Sequence, residues 1–269
     1  MKILILGDIM GVSGRDAIVE KLPNLINQKK IDFVIVNGEN AADPGVGITK
    51  KNAEDFFNAG ADVITTGNHV WDQKEAMQFI KSEKRLLRPE NLFEGSPGNG
   101  FGIFISKNKK KVAVINLMGN IFMKKCDDVF ISAKKIIDKI KLKKDADFIV
   151  VDLHGEITSE KMAMGYLLDG KATMLVGTHT HVPTSDHRIM EKGTAYQTDI
   201  GMCGDYNSVI GMNKDNSLKK FLKDPSAEKH YPATGEGTIS GLLVTANHDT
   251  GLADKVEPII LGKLLENRI

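Results

Sequence analysis

Cysteine is scarce: the 269 residues hold two, Cys126 and Cys203, and no Cys-x-x-Cys pair. That argues against a disulfide framework and against a thiolate zinc site, and makes a reducing, cytoplasmic setting the expectation. Neither sign of charge is in excess, because 36 Lys and Arg nearly cancel 35 Asp and Glu. No global field therefore draws the chain onto nucleic acid or an anionic membrane, and any anion must be held locally. Two basic runs, Lys107 to Lys111 and Lys141 to Lys144, could touch phosphates, which leaves RNA contact open, although a solvated face is the simpler reading. No stretch approaches the ~18 apolar residues of a membrane span, and the apolar run that ends at Gly7-Asp8 is too brief for a secretory leader.

Several nucleotide and nucleophile motifs are missing too. There is no Walker A sequence and no Gly-x-Ser-x-Gly elbow. Gly98-Asn-Gly-Phe-Gly102 and Gly235-Glu-Gly-Thr-Ile-Ser240 each run into a predicted strand, whereas a dinucleotide fingerprint requires a helix N-terminus there.

What is present is an apolar fraction of 41% in a chain long enough to bury a sizeable core. A single domain spanning 1–269 is expected. Short apolar runs alternate with helical spacing through the first half, the signature of βα units feeding a mostly parallel sheet. Strands are predicted at Ile3 to Leu6, Asp32 to Val36 and Val63 to Thr65. Helices are predicted from a Ser13 cap to about Lys30, from a Thr49 cap to Gly60, and over Trp71 to Ile80. Gly102 to Ser106 and Val112 to Leu117 flank a turn and read as a hairpin. Helices follow over Val129 to Ile140 and Ser159 to Leu168, with strands at Phe148 to Leu153 and Met174 to Val176. His187 to Met190, Ala195 to Gln197, Leu242 to Thr245 and Val256 to Ile260 look like a second, largely antiparallel sheet, and Gly204 to Gly237 like a long loop. The fold class is then α/β, a four-layer α/β/β/α sandwich of two mixed sheets flanked by helices.

Five of the strands end in residues that bind metals: Gly7-Asp8, Gly38-Glu39-Asn40, Gly67-Asn68-His69, Asp152-Leu-His154 and His179-Thr-His181. Carboxyl ends of parallel strands share one edge, so residues scattered in sequence converge there. In extended chain, His179 and His181 would face the same side. Any one of these residues alone is more often a turn former or a satisfied core residue; the repetition is what counts. Imidazole, amide and carboxylate donors without thiolate suit iron, manganese or zinc. Asp8, Glu39, Asn40, Asn68, His154, His179 and His181 exceed what one ion takes, which favours two ions sharing a bridge, expected at Glu39. Only Asp8 and Glu39 among the seven are anionic, so the loaded cluster is net positive and wants an anionic substrate. Two such ions lower the pKa of a bridging water and neutralise charge in an in-line displacement, which is phosphoester chemistry. His69, beside Asn68, is placed to protonate the leaving oxygen.

These residues resemble the calcineurin-like metallophosphoesterase pattern. The chain as a whole resembles the YmdB-like phosphodiesterases, through Asn37-Gly-Glu-Asn-Ala-Ala42, Thr66-Gly-Asn-His-Val-Trp71 and Thr198-Asp-Ile-Gly-Met-Cys-Gly204 with Asn207-Ser-Val-Ile-Gly211. The wider superfamily has Asp-x-His where this sequence has Asp8-Ile-Met10, a departure the YmdB-like group shares. The resemblance implies Asp8, Glu39, Asn40 and His181 around one metal and Glu39, Asn68, His154 and His179 around the other, with His69 as proton donor. It implies iron, with manganese able to substitute, and cyclic nucleotides as substrates, notably 2′,3′-cyclic ones opened to 3′-nucleotides and 3′,5′-cyclic ones as further candidates. A rival expectation is a metal-dependent nucleotide- or RNA-sensing regulator with little turnover; a pure sensor has no use for His69. Association into a homo-oligomer is left open by these residues.

Overall fold

The computed structural model describes all 269 residues. The first βα units supply β1 (Lys2–Met10), α1 (Gly11–Lys29), β2 (Phe33–Asn40), α2 (Lys50–Asn58), β3 (Val63–Thr65) and the short α3 (Ala76–Phe79). The hairpin β4 (Phe101–Ile105) and β5 (Lys111–Met118) follows, then α4 (Val129–Lys139), β6 (Phe148–His154), α5 (Thr158–Leu168) and β7 (Met174–Thr178). The remainder adds β8 (Arg188–Ile189), β9 (Ala195–Gln197), β10 (Met202–Cys203), α6 (Lys214–Phe221), β11 (Ile239–Ala246) and β12 (Ala253–Leu261).

One sheet runs β12-β11-β1-β2-β3, with β10 beside the end of β1; the other runs β4-β5-β6-β7-β9-β8. Alternation along each strand divides the apolar residues between two layers. Ile3, Ile5, Phe33 and Ile35 meet Val112, Val114, Phe148 and Val150 between the sheets. Leu4, Leu6, Val34 and Val36 face the other way, onto Ile18 and Leu22 of α1 and Phe56 of α2. On the far side, Ile149 and Val151 pack against Ile136 of α4 and Met164 of α5. The layers are thus α/β/β/α, and central strands buried on both faces explain their unbroken apolar runs. No helix is long and apolar enough to cross a membrane.

Several expectations need correction. The late strands do not form their own antiparallel sheet. β11 pairs antiparallel with the free edge of β1 and carries β12, while β9 pairs parallel with β7 and carries β8. The free edges of β1 and of β7 are covered in this way, and edge strands want a partner. Ser13 caps nothing: β1 passes directly into α1 through Gly11 at φ 56°, and the Ser13 hydroxyl donates to Ala233 O at 3.1 Å and Gly235 O at 2.7 Å. The helix expected over Trp71 to Ile80 shrinks to α3, because the turn after β3 is spent on placing Asn68 and His69. The Gly204 to Gly237 segment is not one loop, for it holds α6. Thr49 does cap α2, in a reciprocal pair with Asn52.

Candidate metal centre

All the carboxyl-end residues come to one edge between the two sheets. Asp8 lies inside β1, where the pairing register with β2 shifts on either side of it; such a bulge re-aims a side chain. Glu39 and Asn40 close β2, His154 closes β6, and Asn68 and His179 stand just past β3 and β7. Gly67 makes room for His154: a Cβ there would lie 2.2 Å from the imidazole Cδ2. Gly7 makes room for Gly201, whose carbonyl oxygen would sit 1.8 Å from an added Cβ.

His154 is the hub. Its Nε2 lies 3.1 Å from Asn68 Oδ1, 3.1 Å from His179 Nδ1 and 3.4 Å from Glu39 Oε1. Its Nδ1 is 3.5 Å from Asp8 Oδ1 and 3.0 Å from Thr178 Oγ1. The Thr178 hydroxyl donates to Asp152 Oδ1 at 2.8 Å, so it accepts from Nδ1–H and leaves Nε2 turned to the cluster. Asp152 is held in turn by Thr65 Oγ1 at 2.5 Å and Asn37 Nδ2 at 2.9 Å. At the other end, His181 Nε2 and the Asn40 amide are 3.0 Å apart, and the Ile210 carbonyl accepts from His181 Nδ1 at 2.7 Å. His179 and His181 do not reach the cluster by strand alternation, as expected from the sequence. Their φ angles are 100° and 65°, a left-handed backbone rare outside glycine and held only where surroundings impose it.

Asp8, Glu39 and His154 are fully buried, and Asp8 Oδ1 and Glu39 Oε2 have no hydrogen-bond partner. Two unsatisfied carboxylate oxygens in one buried cluster are costly unless a cation meets them. The protein's own compensation is one imidazole. Burial alone would lower the His154 pKa, but Glu39, Asp8 and Asp152 outweigh it and raise it to about 9. Burial also works against ionised Glu39, yet His154 and His69 hold its pKa below the usual range. His179 is driven down to about 3 by burial and by His154, so it offers a neutral lone pair. Asp8 is pushed up by burial. No three His, Cys, Asp or Glu side chains alone form a metal cage; Asn68 and Asn40 complete the donor groups at the two ends. Donors about 2.0–2.2 Å from a common cation stand about 3 Å apart at right angles, which is the spacing found around His154 Nε2. The residues fit a bound metal.

His69 is at the rim. Its backbone N–H donates to Glu39 Oε1 at 2.7 Å, and its Nδ1 meets Asp72 Oδ2 at 2.5 Å, leaving Nε2 free. His69, Asn40, His179 and His181 line a cavity of about 330 Å³ together with Met10, Val46, Glu156, Ile210 and Met212. A cleft of similar volume between α4 and α5 carries lysines and leucines but no such donor set, so chemistry and not volume selects the site. Sequence reasoning missed Asp72, Glu156, Thr65 and Thr178. Asp72 is three residues past His69 in a turn, a spacing that was available to read. Glu156, at 3.2 Å from His179 Nε2, gave no signal. Asp199, without a role in the sequence, accepts from Lys161 Nζ at 2.8 Å and Thr180 N at 3.1 Å. Both basic runs precede β5 or β6 and so lie at the opposite edge of the sheet.

Residues 4–259 match the YmdB-like protein family. A Bacillus subtilis 2′,3′-cyclic-nucleotide 2′-phosphodiesterase is 43% identical over 262 residues, 97% of each chain. The chain belongs to the YmdB-like family. Its fold is likewise that of solved relatives. A Mycoplasma pneumoniae phosphatase superposes with a TM-score of 0.89 at 37% identity, covering 97% of this chain and 93% of that one. A Thermus thermophilus hypothetical protein superposes with a TM-score of 0.88 at 36% identity, covering 97% and 98%. The YmdB-like stretches around Glu39, Asn68 and Asp199 are the segments that build the cluster and brace it.

Proposed function

We propose that this chain is a metal-dependent phosphodiesterase that hydrolyses cyclic nucleotides, opening 2′,3′-cyclic ones to 3′-nucleotides, from one domain spanning residues 1–269 in the cytoplasm. One observation carries the reading: seven side chains of metal-ligand type, from five strand ends, come together where two buried carboxylate oxygens lack partners. The activity named for the Bacillus subtilis relative supports the substrate class. Asp8, Glu39, Asn40 and His181 would hold one cation and Glu39, Asn68, His154 and His179 the other, with iron the favoured metal and manganese a substitute. Two such cations, when bound, supply charge neutralisation and a hydroxide at neutral pH.

The chain's own residues do the rest. Asp152, Thr178 and Thr65 fix the His154 ring so that Nε2 is the donor. The Glu39 carboxylate orients His69 through its backbone N–H, and Asp72 on Nδ1 supports the charged imidazole. His69 Nε2 then gives a proton to the departing ribose oxygen. The test is metal analysis of gently purified protein, then a panel of 2′,3′- and 3′,5′-cyclic nucleotides, monoesters and short RNA with products separated by chromatography. About two transition-metal ions per chain and a 3′-nucleotide product are expected, with activity lost on chelation. A metal-free protein, or one inert to every diester when loaded, sinks the reading.

A further inference from the structure

Resting on the phosphodiesterase reading, we propose that the apolar wall of the same cavity, formed by Val46, Ile210 and Met212 over Met10, seats the substrate's nucleobase and accepts all four bases alike. The cavity that His69, His179 and His181 line is also lined by these four residues. A nucleotide whose phosphate lies at these histidines therefore meets an apolar surface within the same cavity.

Ile210 marks the wall as more than a turn. It is β-branched, yet its φ is 48°, where an ordinary turn would place Gly or Asn. The residue is 54% exposed, so burial does not explain the choice. Its carbonyl is pinned by His181 Nδ1, which ties the residue's position to the donor cluster. Met10 lies behind: an added Cβ at Gly211 would be 2.3 Å from Met10 Cγ, and one at Gly45 would be 2.8 Å from Met10 Cε and 3.5 Å from Met212 Cε. Two methionines and two glycines thus form one close apolar layer, and thioether sulfur and methyl groups suit an aromatic ring face.

None of these four side chains carries a strong hydrogen-bond donor or acceptor. A pocket that hydrogen-bonds its ligand rejects analogues lacking the group by about 10⁴-fold or more, whereas an apolar wall discriminates by roughly 10- to 200-fold at most. Contact with the ring face therefore gives affinity without base selection.

The experiment compares the metal-loaded wild type with Ile210→Gly and Met212→Ala. Glycine takes φ 48° without strain and keeps the carbonyl that His181 uses. The substrates are the 2′,3′-cyclic phosphates of adenosine, guanosine, cytidine and uridine, and methyl p-nitrophenyl phosphate, a diester with no base. Wild-type kcat/KM for the four nucleotides should agree within about tenfold. In each variant the ratio of nucleotide to base-free kcat/KM should fall about tenfold, through KM, at equal metal content. An unchanged ratio in both variants, or a wild-type preference for one base above about a hundredfold, overturns the base seat while leaving the phosphodiesterase reading intact. Wild type inert to both kinds of diester overturns that reading and the base seat with it.

Discussion

Replacing Lys161 by Met tests whether the loop that carries His179 and His181 is held from behind by a buried ion pair. Lys161 rises from α5, passes its stem over Gly177, and is fully buried, as is Asp199 to within 1%. Its Nζ donates to Asp199 Oδ2 at 2.8 Å and to Thr178 O at 2.9 Å. Asp199 also accepts from Thr180 N at 3.1 Å and Gly201 N at 2.9 Å, so the pair grips both sides of His179. Methionine nearly conserves the volume, leaving the lost charge as the main change. Breaking a buried pair by removing one partner costs about 3–5 kcal/mol, a large share of the roughly 5–15 kcal/mol that holds a domain together. Urea unfolding of chelated Lys161→Met should show that loss, with an unchanged m-value. Lys161→Met with Asp199→Asn should recover part of it, because no uncompensated charge then stays buried. Metal content of the single variant should fall as well, since Thr178 and Thr180 lose their brace. A loss under about 1 kcal/mol, or strict additivity in the double variant, would refute the reasoning.

Three further outcomes are expected. His69→Ala should keep its metals and lose about 10²- to 10⁴-fold in kcat, as removal of a general acid does, with Asp72→Asn losing less; steady-state kinetics on cyclic nucleotides decides. Gly67→Ala should drive a methyl to within about 2.2–2.3 Å of the His154 ring, costing about 1–3 kcal/mol and displacing the hub, which metal analysis and thermal melts read together. The Cys126 thiol, pushed up to about 11 by burial and then by Glu160 and Asp127, stays protonated below that pH. Iodoacetamide at pH 8 should therefore modify it about two orders of magnitude more slowly than a free cysteine of pKa about 8.5, as mass spectrometry over time would show.

That these side chains share one edge was legible because the signal is one-dimensional: an apolar run, often a glycine, then a carboxylate, amide or imidazole at the carboxyl end of the strand. Where β11 and β12 go was not legible, since antiparallel pairing with β1 joins residues more than two hundred positions apart, as in Ile3 with Val244, and their apolar pattern serves either sheet. His179 and His181 converge for a reason the spacing did not hold. The expectation used strand alternation, whereas the chain has left β7 and turned through positive φ at both residues. Lys161 and Asp199 read as an ordinary helix lysine and a turn aspartate, and become one unit only when α5 lies across β7.

His154 shows where the division falls. Its residue type and its place at the end of β6 follow from a seven-residue stretch. Which ring nitrogen faces the cluster follows from Thr178 on β7, Asp152 two residues back, and Thr65 on the other sheet. Residue type is thus a local property of a strand end, while the orientation of the side chain requires both sheets to be assembled. Substitutions at Thr65 or Thr178 should accordingly loosen the His154 ring without removing any donor from the set.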